Sequence, residues 1–354
     1  MSGTRRANVS GLGLIGGSIA AALTERGWTV SGLDQRPERS DRALSMGIIT
    51  SVGLDIDAEI TFVATPVLTL EEQVRSALAH TSGLVTDVGS VKSALVSAID
   101  DPRFVGGHPM AGSELEGLDG ADPTMFEGAV WVLTPSPTTA DQTFAGVAAV
   151  VAELGADVVA LSGERHDQTV AVISHVPHLT AATLMGLASD RAEEHAALLR
   201  LAAGGFRDMT RIASGHPHIW LDICAENRAS ILSALDGLIG GLSRMREVVD
   251  TQDRNELQRL LSKAREARAN LPVKGTQPGD LCEVRIPIPD RPGAAAEVFT
   301  LAAELGVNIS SFEVVHSVEG SRGVAVILVD SASVELYRGG LLARGYRPAV
   351  QRLS

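Results

Sequence analysis

Short apolar runs rich in Val, Ile and Ala recur through the first half of the chain, at residues 7–10, 29–33, 60–64, 84–86, 104–106 and 129–133. Helix-forming segments separate them, and this alternation predicts a mostly parallel sheet covered by helices, an α/β fold. From about His166 the period changes. Long Ala- and Leu-rich stretches, including 221–249 and 254–269, carry apolar residues at helical spacing with hardly a strand candidate among them. They predict an all-helical second domain. Segments 179–188 and 231–242 hold more apolar positions than one side of a small bundle hides, so a homodimer is expected there. Pro272, Gly275, Pro278 and Gly279 then mark a linker. Beyond it, strand patterns at 282–288, 308–316, 323–329 and near Arg347 alternate with helical ones at 293–305 and 334–343. That order is the ferredoxin-like βαββαβ unit.

Gly11, Gly13 and Gly16 form G-x-G-x-x-G directly after the first strand and at the opening of a helix expected near Leu14. In this setting Gly11 permits the tight turn, Gly13 lets the backbone approach a pyrophosphate, and Gly16 lets the helix pack closely on the sheet. The helix N terminus, at Leu14 and Ile15, faces the phosphates. Asp34 ends the second strand, about twenty residues on, where an acid accepts hydrogen bonds from the adenosine ribose. Its carboxylate repels a 2′-phosphate, which favours NAD as cofactor, although Arg36 and Arg39 lie close enough to leave NADP open. The expected division is therefore a Rossmann-type NAD-binding domain over 1–163, a helical substrate and dimerisation domain over 164–270, a linker over 271–279 and a small domain over 280–354.

Charge and cysteine usage narrow the partners. With 43 Asp plus Glu against 30 Lys plus Arg, the surface repels a phosphate backbone and an anionic membrane face, so neither nucleic acid nor membrane is an expected partner. Cys224 and Cys282 stand far apart without ligand or pairing spacing and read as reduced thiols of a cytoplasmic protein. The basic residues near Met1 lead straight into a strand rather than a cleavable signal, and no uninterrupted apolar stretch reaches membrane-spanning length.

Ligands of an open α/β sheet bind beyond the carboxyl ends of its strands. Three polar segments fall there: Thr65-Pro66, the run from Asp87 to Lys92, and the run from Gly107 to Glu114. Thr65 and Asp87 are expected at the cofactor. Oxidation of an alcohol needs a base that takes the hydroxyl proton as hydride leaves, and His108 at a strand end suits that role. Ser90 is placed to hydrogen-bond either that imidazole or the substrate hydroxyl. The helical part adds His166-Asp167, Ser174 to His178, and Arg207 to Arg211, whose forked guanidinium groups suit a carboxylated substrate. His175 and His178 at i, i+3 lack a carboxylate or Cys to complete a metal set, so no metal is expected.

Taken together, the run from Gly11 to Ser18, Asp87 to Lys92, Gly106 to Glu114, Ser174 to His178 and Arg207 to Arg211 resemble the prephenate and arogenate dehydrogenase family of tyrosine biosynthesis over roughly residues 7 to 270. The last segment, with Asp290-Arg291-Pro292-Gly293 and Asn308, resembles an ACT regulatory domain. The resemblance implies oxidative decarboxylation of prephenate to 4-hydroxyphenylpyruvate, or of arogenate to tyrosine. It implies that His108 is catalytic, that Ser90 orients it, and that Arg211 grips a substrate carboxylate. It further implies that His178 and Glu114 line the pocket and that Trp220 can reach in from a neighbouring subunit. Asp290, Pro292, Gly293 and Asn308 would hold an amino-acid effector such as tyrosine. Two rivals stand against it. A β-hydroxyacid dehydrogenase would use a lysine base in the helical domain, where Lys263 falls outside the motifs; a nonenzymatic NAD and amino-acid sensor would have no use for His108, Ser90 and Arg211 together.

Overall fold

The computed structural model describes residues 4–113, 115–192, 202–215, 217–271, 281–289, 291–316 and 322–352. The chain divides into two compact units, residues 1–242 and 243–354.

The first unit is built on β1 (Arg6–Ser10), β2 (Thr29–Leu33), β3 (Ser51–Val52), β4 (Ile60–Val63), β5 (Leu84–Asp87), β6 (Phe104–Pro109), β7 (Val130–Thr134) and β8 (Asp157–Ala160). They form one eight-stranded sheet in the order β3-β2-β1-β4-β5-β6-β7-β8. Every pairing is parallel except β6 with β7, which is antiparallel. Helices α1 (Leu14–Glu25), α2 (Pro37–Ser45), α3 (Leu70–His80), α4 (Ser93–Ala98) and α5 (Asp141–Glu153) connect the strands. Because successive strand residues point to opposite faces, Phe62 packs with Ile19, Leu23, Trp131 and Val147 on one side, while its neighbour Val63 packs with Leu70, Val74 and Leu95 on the other. A sheet buried on both faces explains why its central strands read as continuous apolar runs. The two strands missed from sequence, β3 and β8, are the short edges; their residues are largely exposed and carry no such run.

Helices α6 (Gly163–Val170) and α7 (Val176–Ala192) are joined by a π-helical turn, Ala171–His175. The resulting run Gly163–Arg191 is 29 residues long and apolar enough, by length and composition, to cross a membrane, which corrects the expectation that no such stretch exists. Its buried positions nevertheless include His166, Asp167 and His175, all held in polar contacts. Helices α8 (Gly204–Thr210), α9 (Pro217–Glu226) and α10 (Arg228–Asp250) follow. The single helix expected over 221–249 is instead broken at Asn227, whose side-chain amide is diverted to the Asp167 carbonyl. Backbone bonds from Asn227 to Ile223 and from Ile231 to Asn227 keep the two pieces nearly continuous.

The second unit contains α11 (Arg254–Ala269), β9 (Leu281–Pro289), α12 (Ala294–Glu304), β10 (Ile309–His316), β11 (Arg322–Asp330), α13 (Val334–Ala343) and β12 (Ala349–Arg352). Its four strands form an antiparallel sheet in the order β10-β11-β9-β12. The alternating burial of β9 turns Val284, Ile286 and Ile288 onto Val298, Leu301, Tyr337 and Leu341 of the two helices. Tyr337 donates its hydroxyl to the Val298 carbonyl at 3.1 Å, and burial pushes its pKa up to about 12. The linker expected over 271–279 lies, beyond Leu271, outside the described residues. Cys224 and Cys282 are both free thiols.

Candidate active site

The glycine loop follows from close packing between β1 and the turn after β4. Gly11 has φ +94°, and a Cβ there would stand 2.4 Å from the Ala64 carbonyl oxygen. A Cβ on Gly16 would stand 1.8 Å from the Gly11 oxygen, so both positions require glycine sterically. Gly13 differs: nothing lies within 4 Å of where its Cβ would be. Beside this open cradle, the Thr65 hydroxyl is buried with no hydrogen-bond partner. An empty approach over the backbone and an orphaned hydroxyl both fit a dinucleotide pyrophosphate on the N terminus of α1, where Leu14 and Ile15 begin the helix.

Asp34, just past β2, receives the Leu12 amide at 2.8 Å and the Arg36 amide at 3.0 Å, with Arg39 Nη1 at 3.2 Å. Burial works against its ionisation, but these two amides and the guanidinium outweigh it and hold the pKa below the usual carboxylate value.

Asp87 and Ser90 need correction. Asp87 was expected at the cofactor, yet its carboxylate is fully buried in an ion pair with Lys92, itself fully buried, and also accepts from the amides of Gly89 at 2.8 Å and Gly107 at 3.1 Å. These bonds tie the end of β5 to β6 and hold the carboxylate away from the surface. Ser90 was expected to orient His108. That place is taken by His166: His108 Nδ1 lies 2.8 Å from His166 Nε2, and His166 Nδ1 lies 2.7 Å from Asp167 Oδ1.

The direction of this chain of bonds follows from its carboxylate end. Asp167 accepts only, so His166 carries its proton on Nδ1 and presents a bare Nε2. His108 must then donate from Nδ1, which leaves its own Nε2 without a proton and able to accept one. Asp167 is itself fixed, accepting the amides of Lys92 and Ser93 at 2.8 Å each at the start of α4. His108 is only half-buried by accessible surface, but its ring sits deep enough that burial, followed by His166, Lys92 and His175, pushes its pKa well below the usual histidine value. It is neutral at pH 7. The sequence displayed His166-Asp167 without a role for it; only the fold brings residues 58 apart into contact.

The π-helical turn places His175 beside this chain. His175 accepts from Asn227 Nδ2 at 3.2 Å, the same amide that donates to the Asp167 carbonyl at 2.8 Å, and burial lowers its pKa to about 4. One helical turn on, His178 stacks face to face on Trp220 with ring centroids 3.6 Å apart. Trp220 thus stacks on His178 within its own chain. Arg211 opens a 3-10 turn, Arg211–Ser214, that packs on α7, bringing the arginine to the element that carries His178. Glu114 lies outside the described residues.

A family model described as the prephenate dehydrogenase nucleotide-binding domain matches residues 19–160, and one described as the prephenate dehydrogenase dimerization domain matches residues 162–263. A prephenate dehydrogenase of Bacillus subtilis is 35% identical over 341 residues, covering 91% of each chain. The chain belongs to the prephenate dehydrogenase family. A cyclohexadienyl dehydrogenase of Zymomonas mobilis is 32% identical over 278 residues, covering 74% of this chain and 94% of its own. Among solved structures, the Aquifex aeolicus prephenate dehydrogenase in complex with hydroxyphenyl propionate and NAD+ has a TM-score of 0.71 at 30% identity, covering 76% of this chain and 99% of its own. A Synechocystis arogenate dehydrogenase gives 0.66 at 30% identity, covering 74% and 98%. Membership of this family carries NAD as cofactor and oxidoreductase chemistry at the site.

In the second unit, a cavity of about 330 Å³ lies between β9 and α12, lined by Ile288, Arg291, Gly293, Ala294, Val314 and Gly323 among others. Of the expected effector residues, Gly293 lines it, Pro292 and Asn308 do not, and Asp290 lies outside the described residues. Asn308 follows the far end of α12, whose 11 residues extend about 16 Å, so one chain does not gather it with Pro292 and Gly293.

Proposed function

We propose that this chain oxidises prephenate to 4-hydroxyphenylpyruvate with release of CO2. The observation that carries the reading is the His108–His166–Asp167 chain, which leaves a bare, neutral imidazole nitrogen at the carboxyl edge of a dinucleotide-binding sheet. Gly11 after β1 and His108 near the end of β6 are three strand spacings apart, about 14 Å, with Thr65 just past β4 and Asp87 at the end of β5 between them. Bound NAD supplies the hydride acceptor. His108 Nε2 takes the hydroxyl proton as the hydride leaves the ring carbon, and the ring carboxylate departs as CO2 while its bonding pair completes the aromatic ring. The charge gained by His108 is shared with His166 and held by Asp167. Arg211 grips the substrate's remaining carboxylate, His178 and Glu114 line the pocket, Ser90 hydrogen-bonds the reacting hydroxyl, and Trp220 packs behind His178.

NADH formation with prephenate and with arogenate, each under saturating NAD, tests this reading. Prephenate is expected to be the better substrate, and His108→Asn to lower turnover by roughly a hundredfold to ten-thousandfold while NAD still binds. Activity with arogenate alone would make this an arogenate dehydrogenase, and near-normal turnover of His108→Asn would remove the base.

The same reading keeps 1–163 as the NAD-binding part, 164–270 as the substrate and dimerisation part, 271–279 as linker and 280–354 as a ferredoxin-like, ACT-type domain that binds an amino acid such as tyrosine. Exposed Val172, Ile173, Leu187, Leu221, Ile239 and Leu242 support a homodimer through the helices. The strand order and the cavity at Gly293 support the effector domain. Tyrosine that altered neither activity nor thermal stability would count against tyrosine as the effector.

A further inference from the structure

Ile223, Asn227 and Ile231 fall four residues apart, so they share one face across the junction of α9 and α10. Both isoleucines join Val91 and Ala171 in an apolar cluster, and an apolar residue between them would complete the stripe. Asn227 stands there instead, 3% exposed. A buried amide costs free energy unless its hydrogen bonds are made. Its Nδ2 donates to the Asp167 carbonyl at 2.8 Å and lies 3.2 Å from Nδ1 of His175, itself 1% exposed. The same carbonyl accepts the Ala171 amide at the start of the π-helical turn.

The orientation of the Asn227 amide follows from that carbonyl. A carbonyl only accepts, so the nitrogen of Asn227 faces Asp167, and the second hydrogen of the same nitrogen faces His175. His175 Nδ1 is therefore bare, and the neutral ring carries its proton on Nε2. A proton on Nδ1 would set two donors against each other, or turn the amide over and strip a bond from Asp167. Burial also keeps His175 neutral, against the pull of the Asp167 carboxylate. The titrating groups around the ring are Asp167 and His166 of α6 and His108 of β6; on α9 its neighbour is Trp220.

We infer that Asn227 is a positioning residue for the proton transfer: it holds the main chain of Asp167 and fixes His175 as the neutral Nε2–H tautomer, so that the Asp167 carboxylate serves His166 and His108 alone. An imidazolium at His175 would draw on the charge that stabilises protonated His108 and would repel it directly. Asn227 acts through Asp167 and His175 rather than on the substrate.

The inference rests on His108 as the base of the proposed reaction, but its first test needs no turnover. Nitrogen NMR of the full chain with isotope-labelled histidine reads the tautomer of His175, assigned by the loss of its signals in His175→Gln. A bare Nδ1 and a protonated Nε2 are expected from about pH 6 to 8. Asn227→Asp keeps the shape of the side chain but accepts where the amide donates. In this variant His175 is expected to hold a proton on Nδ1 and to titrate about one to three pH units higher, the usual effect of a neighbouring carboxylate. With substrate and NAD saturating, Asn227→Asp and Asn227→Ala are each expected to lose about tenfold or more in kcat, the scale of one hydrogen bond, with the KM for NAD unchanged. A role in filling space alone would spare Asn227→Asp and penalise only Asn227→Ala. The inference is overturned if His175 of the unaltered chain is charged or protonated on Nδ1 at neutral pH, or if folded Asn227→Asp keeps kcat within about threefold. Should neither variant fold, the tautomer of His175 in the unaltered chain decides. Near-normal turnover of His108→Asn would instead remove the base, and this inference with it, whichever tautomer His175 shows.

Discussion

Deleting the His166 imidazole isolates the contribution of the relay. In His166→Ala, Asp167 keeps the Lys92 and Ser93 amides, so the start of α4 stays capped, and the glycine loop is untouched. What disappears is the 2.8 Å bond on His108 Nδ1, and with it the constraint that keeps the other nitrogen bare. In the resting enzyme that bond contributes about 0.5–1.5 kcal/mol; once His108 has taken a proton it becomes charge-assisted, at about 1.5–3 kcal/mol. The difference is felt only as the proton arrives, so it falls on kcat. Adding a tautomer that is no longer fixed, a total of about 1.5–3 kcal/mol lowers kcat roughly 10- to 150-fold. The KM for NAD should not change.

Initial rates of NADH formation, with both substrates varied, measure this directly. A thermal melt must accompany them, because truncating a fully buried side chain leaves a cavity that costs stability on its own account. Free imidazole separates the two effects: filling the cavity restores an acceptor for His108 Nδ1 and should recover part of kcat, whereas general loosening of the site would not respond. A folded variant whose kcat stays within about threefold of the unaltered enzyme would refute the assignment of His166 as the positioning residue.

Three other outcomes are expected. The base works only when neutral, and its pKa is depressed, so kcat/KM should stay flat through neutrality and fall only as the pH drops below about 6.5; half-maximal kcat/KM at pH 7 or above would contradict the burial of His108. His175 has a folded pKa of about 4 against an ordinary 6.5, so the unfolded chain binds its proton first; thermal stability should fall as pH drops from about 6.5 towards 4, and His175→Gln should flatten that slope. Gly11→Ala and Gly13→Ala should separate folding from binding: the first meets the Ala64 carbonyl and lowers the melting temperature, while the second has room in the free protein and should melt normally yet fail to bind NAD in calorimetry. Normal NAD affinity in Gly13→Ala would mean the cofactor does not approach there.

Whatever depends on neighbours in sequence was legible before the structure. The apolar runs give the central strands because a doubly covered sheet buries every residue of a strand, and Gly11 and Gly16 announce their turn through backbone sterics alone. Edge strands β3 and β8 lack that burial and so lack the signal. Asn227 interrupts an apolar helix for a reason located at Asp167, which no helical periodicity reveals. Asp87 and Lys92, five residues apart, look equally suited to ligand contact or to one another, and only their common burial decides for the ion pair.

The histidine at the sheet edge also shows why a motif can locate a base without explaining it. His108 lies on β6, and nothing else on that strand fixes which nitrogen holds the proton. The decision comes from α6, through His166, and is anchored by a carboxylate that simultaneously caps α4. A displacement of α6 by a fraction of the 2.8 Å contact would therefore weaken the base and the capped helix together. Coupling of this kind makes the position of the helical segment a condition of the chemistry: the run from α6 through the π-helical turn into α7 carries the residue that sets the tautomer of His108.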